Sequence, residues 1–356
     1  MRKRWLEITL SKPARQRGAR RVPMRRDWVA KALALTSAAK SYYDEMFELV
    51  VSAGHELVVG PDFVGTPKGP EMIADIKRLV PGASAVILGG AAFTEEVFQA
   101  ADKLKVVSRT GVGYDAVDIE AARRRGIPVV IAAGSNHVTV AEYAFGLMLA
   151  LTRRIVEHHS LVKSGGWRRL PSSDLEGKTL GIAGLGRIGK QLADRGLAFG
   201  MKVIALESAP DREFVESRGI ELVDLETLCS EADHLSLHLP LSAETEKMIN
   251  AETLSLMKPT AYLVNTARGG LVDEAALIRA LREGWLAGAG LDVFDPEPPI
   301  GSPLLQLPNV ILAPHAAGVS SEAVERMAIM ATENALAVLN GEWSRDIVVN
   351  GVYCDS

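Results

Sequence analysis

The sequence predicts an α/β protein with two doubly wound parallel sheets, and three observations carry that expectation. Short apolar runs alternate with stretches of helical periodicity along most of the chain, the pattern of strands covered by helices. One strand–turn–helix stretch, 179–198, carries Gly184, Gly186 and Gly189 in GxGxxG spacing, the turn of a dinucleotide-binding unit. At 356 residues the chain is long enough for two domains with full cores.

The first thirty residues hold ten Lys or Arg against Glu7 and Asp27, a net +8, which leaves −12 on the rest. Arg-rich, acid-poor arms bind nucleic acid or direct transit. Nothing aromatic or periodic accompanies this charge, so 1–30 is expected to lie outside the fold, with Met24 as an alternative start. The apolar runs 32–36, 56–59, 85–88, 106–109 and 129–131 then read as strands. Helical segments sit between them at 41–53, 70–80, 94–101 and 119–125, the first resting on Tyr42, Met46, Leu49 and Val50 and ending at Gly54. The run 138–156 includes Glu142 and reads as one buried helix leading into the second domain; its apolar part is too short to span a bilayer. Stretch 161–177 is polar, with Trp167 its one bulky anchor, and reads as a loop.

The second domain opens at 179–183, apolar enough for a strand buried on both faces. Gly184 permits a tight turn, Gly186 lets backbone approach a pyrophosphate, and Gly189 lets the helix at 190–198 pack on the strand. The pyrophosphate would rest on the helix N-terminus. The next run, 201–206, ends at Glu207, roughly 20 residues past the glycines, where a carboxylate accepts from a ribose 2′-OH and repels a 2′-phosphate. The implied cofactor is NAD. Strands at 221–223, 234–239, 261–265, 287–292 and 310–313, with helices at 225–230, 251–256 and 273–283, complete this domain. An amphipathic helix at 320–340 and a strand-like tail at 347–349 close the chain.

Composition is that of an ordinary globular protein. Cys229 and Cys354 make neither a disulfide framework nor a metal-ligand cluster, so the expectation is a cytoplasmic protein with no metal, membrane or nucleic-acid partner. In open α/β sheets ligands sit beyond the carboxyl ends of the strands. Arg268, then Asp292 with Glu297, then His315 follow three successive predicted strands. Together they offer a carboxylate clamp, an orienting carboxylate and an acid–base group. Taken singly, Arg268 could cap a helix, Glu297 could be a solvated loop residue, and His315 could lie on the surface. His234 and His238 fall within a strand and read as packed, while His137, His158 and His159 have no chemical context.

These segments, GLGRIG with Glu207, NTARGGLVDEAAL, GLDVFDPEPP and PHAAG, resemble the D-isomer-specific 2-hydroxyacid dehydrogenases. SRTGVGYDAVD and VAEYAFGLMLAL are similar to that family too, and the resemblance runs from about Lys31 to the C-terminus. It implies a Rossmann NAD-binding domain, 136–318, inserted into a flavodoxin-like substrate domain made of 31–135 and 319–356. It also implies that Arg268 binds the substrate's carboxylate and carbonyl oxygen, that His315 is the acid in reduction and the base in oxidation, and that Glu297 orients His315 and raises its pKa. Val112 and Gly113 would hold the carboxylate through backbone N–H groups. Arg187 and Ile188 would present N–H groups to the pyrophosphate, with Leu239 and Pro240 on the adenosine side. Thr266, Ala267, Asp292, His315 and Gly318 would surround the nicotinamide.

Glu207 departs from the family, which more often carries Asp there, and Arg212 nearby could meet a 2′-phosphate. Phosphoglycerate dehydrogenase and glyoxylate/hydroxypyruvate reductase are nearest in motif style. Lys40, Arg78 and Arg109 are the basic residues placed to hold a substrate phosphate. The long, serine-inhibited form is not expected, because no regulatory domain follows residue 340. A homodimer paired through the helix 138–156 is expected. The alternative is a corepressor-type protein of the same fold that uses NADH as a structural ligand.

Overall fold

The computed structural model describes residues 29–63 and 69–353; nearly all of the basic arm, and Cys354, lie outside them. Strands β1 (Lys31–Leu35), β2 (Glu56–Val59), β3 (Ala85–Leu88), β4 (Val106–Arg109) and β5 (Val129–Ile131) form one parallel sheet in the order β2-β1-β3-β4-β5. That is the flavodoxin-like winding. β6 (Thr179–Ala183), β7 (Lys202–Leu206), β8 (Glu221–Leu222), β9 (His234–Leu237), β10 (Tyr262–Asn265), β11 (Gly288–Leu291) and β12 (Val310–Leu312) form a second, in the order β12-β11-β10-β9-β6-β7-β8. Its winding reverses at β6, so the glycine turn that follows β6 opens at the switch point where such sheets bind ligands. β3 and β9 are buried along their whole length, as strands covered by helices on both faces must be.

Two helices take the chain between the sheets. α6 (His137–Thr152) covers β10, β11 and β12 and lies on α8 (Arg187–Ala198). Its Leu147, Met148 and Leu151 share a core with Leu180, Ile182 and Val264. The last helix, α13 (Ser321–Asn340), returns to the first sheet, where Ala328, Ala331 and Ala335 pack against Ala32, Ala34 and Ile87. The small side chains let helix and sheet approach closely, and the Ser108 hydroxyl donates to the Ala331 carbonyl at 2.7 Å.

The structure corrects several expected elements. The helix expected over 41–53 is two, α1 (Ala38–Ser41) and α2 (Tyr43–Ser52), separated at Tyr42. The helix expected over 138–156 stops at Thr152, because Arg154 takes a left-handed φ of 52° that breaks the hydrogen-bond ladder. A separate helix, α7 (Ile155–Lys163), then extends into what had read as loop. A further short helix, α9 (Arg212–Arg218), was not anticipated; the Asp211 carboxylate caps it by accepting from the Phe214 N–H. The strand-like tail makes only a single antiparallel bridge, Val348 to Val130. There Asn350 satisfies the sheet edge with its side chain, accepting from the Val129 N–H at 3.1 Å and donating to the Ile127 carbonyl at 2.8 Å.

Candidate active site at the strand ends

The glycine turn has three distinct surroundings. Gly184 has φ +98°, and a Cβ there would press on the backbone of His238 and Leu239. A Cβ on Gly189 would overlap the Gly184 carbonyl oxygen, so α8 can lie on β6 only without one. Around Gly186 a Cβ would meet nothing within 4 Å, so the backbone is open to an incoming group. Arg187 and Ile188 follow in the first turn of α8, where amide N–H groups lack helical partners. Glu207, just past β7, accepts from the Leu185 N–H at 2.8 Å and from the Ala209 N–H at 3.0 Å. Its carboxylate therefore lies beside the glycine turn. Leu239 and Pro240 follow β9, the Pro240 carbonyl accepting from the Thr245 hydroxyl.

After β10, buried Asn265 braces the turn that carries the arginine. Its carbonyl oxygen accepts from the Ala267 N–H and its amide donates to the Arg268 carbonyl, at 3.0 and 2.8 Å. Nothing in the sequence reading singled out Asn265. The Thr266 hydroxyl is buried without a hydrogen-bond partner, which suits an atom that waits for a ligand. The Arg268 Nε donates to Asp115 Oδ2 and its Nη1 to the Ala267 carbonyl, both at 2.6 Å. Its Nη2 lies where a Cβ on Gly113 would stand, so the residue from the second sheet touches the loop Val112–Gly113 after the first. Asp115 was also missed, since it meets Arg268 from 153 positions away.

The His315 Nδ1 lies 2.9 Å from Glu297 Oε2 and 3.1 Å from Oε1. Glu297 also accepts from the Phe294 N–H at 3.1 Å. The imidazole stays half exposed while its loop is pinned underneath. His315 has φ +55°, a conformation that persists only where surroundings enforce it. Asp292 supplies the enforcement. Its carbonyl accepts from the His315 N–H at 2.8 Å, and its buried carboxylate accepts from the N–H groups of Ala316 and Ala317 at 2.7 and 2.8 Å. Burial pushes the Asp292 carboxyl above its usual range, against the pull of those two N–H groups. Asp292, expected beside the nicotinamide, is thus employed in holding the histidine loop. A Cβ on Gly318 would press on the Asn136 amide, so this loop abuts the start of α6.

Arg109 turns inward. It is only 9% exposed, with Nε donating to the Gly113 carbonyl at 2.8 Å and Nη1 to the Leu88 carbonyl at 3.1 Å. Burial lowers its pKa to about 10. Its guanidinium braces the loop that faces Arg268. The other two basic residues expected to hold a phosphate are surface ion pairs, Lys40 with Asp62 and Arg78 with Asp75. Among the described residues no group of three potential ligands could hold a metal, and no described helix is long and apolar enough to cross a membrane.

Comparison with known proteins gives this arrangement its context. The family description "D-isomer specific 2-hydroxyacid dehydrogenase, NAD binding domain" matches residues 145–317. The chain is 43% identical over 299 residues to a glyoxylate reductase of Thermococcus litoralis, covering 82% of this chain and 90% of that one. It is 45% identical over 266 residues to a D-3-phosphoglycerate dehydrogenase of Methanocaldococcus jannaschii, covering 74% of this chain but 51% of that protein. The structure of an Aquifex aeolicus D-lactate dehydrogenase, complexed with NAD and lactic acid, superposes with a TM-score of 0.78 at 29% identity, over 90% of this chain and 99% of that one. The chain belongs to the D-isomer specific 2-hydroxyacid dehydrogenases, NAD-dependent oxidoreductases, with its second sheet forming the family's NAD-binding domain.

Proposed function

We propose that this dehydrogenase reduces C2 of a small 2-oxo acid, glyoxylate or hydroxypyruvate, in preference to a phosphorylated one. The observation that carries the choice is the employment of Arg109, Lys40 and Arg78 elsewhere, on backbone carbonyls or surface carboxylates. A substrate phosphate needs such cations. Relatives named glyoxylate reductase at 41–47% identity are in keeping with this reading.

The chemistry is divided among residues from both sheets. The remaining donors of the Arg268 fork, with the N–H groups of Val112 and Gly113, receive the substrate's carboxylate and carbonyl oxygen. His315 holds the proton that passes to the carbonyl oxygen in reduction and takes it back in oxidation, while Glu297 keeps the ring turned through Nδ1. Bound NADH supplies the hydride to C2. The chain fits that cofactor: open backbone at Gly186 and the free amides of Arg187 and Ile188 suit the pyrophosphate. Each Glu207 oxygen keeps acceptor capacity for ribose hydroxyls, and the unpartnered Thr266 hydroxyl serves the nicotinamide side with Ala267 and Gly318. Leu239 and Pro240 line the adenosine side.

This assigns 136–318 to cofactor binding and 31–135 with 319–356 to the substrate. Pairing into a homodimer falls to the end of the 138–156 stretch and the segment after it, because the apolar side of α6 is taken up by its own sheet. There Ile155, Val156 and Val162 are exposed and Trp167 is 91% exposed, a patch that suits a self-contact. Residence in the cytoplasm follows the lack of a cysteine framework.

Loss of NADH absorbance on adding glyoxylate, hydroxypyruvate or 3-phosphohydroxypyruvate tests the proposal. The first two should show the higher kcat/KM, and His315→Ala should lower kcat about 10²–10⁴-fold. A higher kcat/KM for the phosphorylated acid would overturn the substrate choice.

A further inference from the structure

We infer that Asp115 is a positioning residue for Arg268, a carboxylate from the substrate side that braces the guanidinium from behind and leaves its substrate-facing edge free. The inference rests on the role of Arg268 proposed above.

The bond pattern separates a brace from a plug. A carboxylate standing in for substrate would take two parallel bonds from the fork. Asp115 instead takes Nε alone, at 2.6 Å, on the edge away from Nη1. Nη1 is held by the Ala267 carbonyl and Nη2 rests against Gly113, so the fork is fixed in its plane with N–H groups still to donate toward the 112–113 loop. The contact joins a loop after β4 to a turn after β10, and so sets the guanidinium of one domain against the other.

Charge supplies a second reason for a carboxylate at this position. Arg109 and Arg268 approach Gly113 from two sides, one through its carbonyl oxygen at 2.8 Å and the other at its α-carbon. The two guanidinium groups feel each other as like charges, and Asp115 acts on Arg109 with the opposite sign. An anion on Arg268 Nε offsets part of the repulsion between two cations that share one loop. Asp115 is itself 49% exposed. Exposed pairs of this kind add little to stability, so the effect of the pair falls on the orientation of Arg268 and not on folding.

The test compares Asp115→Ala and Asp115→Asn with the unmodified protein in three measurements. These are glyoxylate kinetics at saturating NADH, oxalate binding to the NADH complex by fluorescence titration, and melting temperature. Asp115→Ala should raise the glyoxylate KM and weaken oxalate by about 10- to 100-fold, with NADH affinity and melting temperature unchanged. Asp115→Asn, whose amide oxygen still accepts from Nε, should recover part of both losses. Unaltered KM and oxalate affinity in Asp115→Ala would overturn the inference, and tighter binding would show that the carboxylate occupies the substrate's place. An unmodified protein that neither reduces glyoxylate nor binds oxalate would overturn the functional reading and this one with it. An active one beside an unaltered Asp115→Ala overturns only the placement of Asp115.

Discussion

Two glycines three residues apart make one substitution a test of the whole cofactor turn. At Gly186, φ −72° and ψ −158° are open to any residue, and an added Cβ meets nothing within 4 Å. Alanine there forgoes glycine's advantage as an N-cap, roughly 0.5–1 kcal/mol, and regains about 0.4–1 kcal/mol by restricting the unfolded chain. The fold should hardly notice. NADH should, because the methyl group enters the space through which backbone meets the pyrophosphate; a loss of tenfold or more is expected, about 1.4 kcal/mol. At Gly189 the order inverts. Alanine gains about 1 kcal/mol of helix propensity, but its Cβ overlaps the Gly184 carbonyl and lies 3.2 Å from Ile182 Cγ2. The turn cannot retreat, since Gly184 is already set against the His238 backbone. Overpacking costs about 1–3 kcal/mol or more where backbone must give. With the propensity gain subtracted, Gly189→Ala should lose up to about 2 kcal/mol and melt as much as roughly 4–8 °C lower in a domain of this size. Scanning fluorimetry and NADH fluorescence titration read the two effects separately. A Gly186→Ala protein that melts as low as Gly189→Ala, or binds NADH as the unmodified protein does, would refute the reasoning.

Other predictions follow from the same geometry. NAD should be used with higher catalytic efficiency than NADP, and Glu207→Ala should narrow the gap while weakening NADH, because Leu185 and Ala209 lose their acceptor; equal efficiencies in the unmodified enzyme would contradict this. His234 is 2% exposed and stacked on Tyr262, and burial lowers its pKa from 6.5 to about 4. Stability from its neutral form is therefore complete above pH 6.5 and is lost as pH falls toward 4, up to about 3 kcal/mol. His234→Phe keeps the stack and should flatten the fall in melting temperature between pH 7 and pH 5; an unchanged fall would point to other groups. Asp292→Asn leaves one of two buried N–H groups unpaired, which should cost about 1–3 kcal/mol in urea unfolding and lower kcat as the His315 loop loosens, whereas an unchanged unfolding midpoint would count against it. The proposed homodimer should become a monomer by light scattering in Trp167→Asp without loss of secondary structure; an unmodified protein that is monomeric would overturn the pairing, and a dimer that persists in the variant would exclude α7 and its neighbour as the contact.

The strands were legible in the sequence because buried parallel strands are short, apolar on both faces and bounded by polar turns, and 85–88 and 106–109 coincide with β3 and β4. The cofactor turn was legible for the same local reason: its three glycines are demands of the backbone within one strand, turn and helix. Arg268, Glu297 and His315 were found as polar residues just past apolar runs. Their neighbours were not. Which groups sit opposite a strand end depends on the order in which strands pair, and neighbouring strands here come from distant parts of the chain. Sheet order therefore decided that Asp292 pins the His315 loop, and the apposition of the two sheets decided that Asp115 meets Arg268. Sheet order also turned Arg109 onto Leu88 and Gly113. The break at Arg154 escaped prediction because apolar periodicity continues across it, and a single left-handed residue leaves no trace in that pattern. Local composition determined which segments are buried and where chemistry can stand; only tertiary structure decided the partners, because unpaired carbonyls and N–H groups at strand ends exist only once the sheets are assembled.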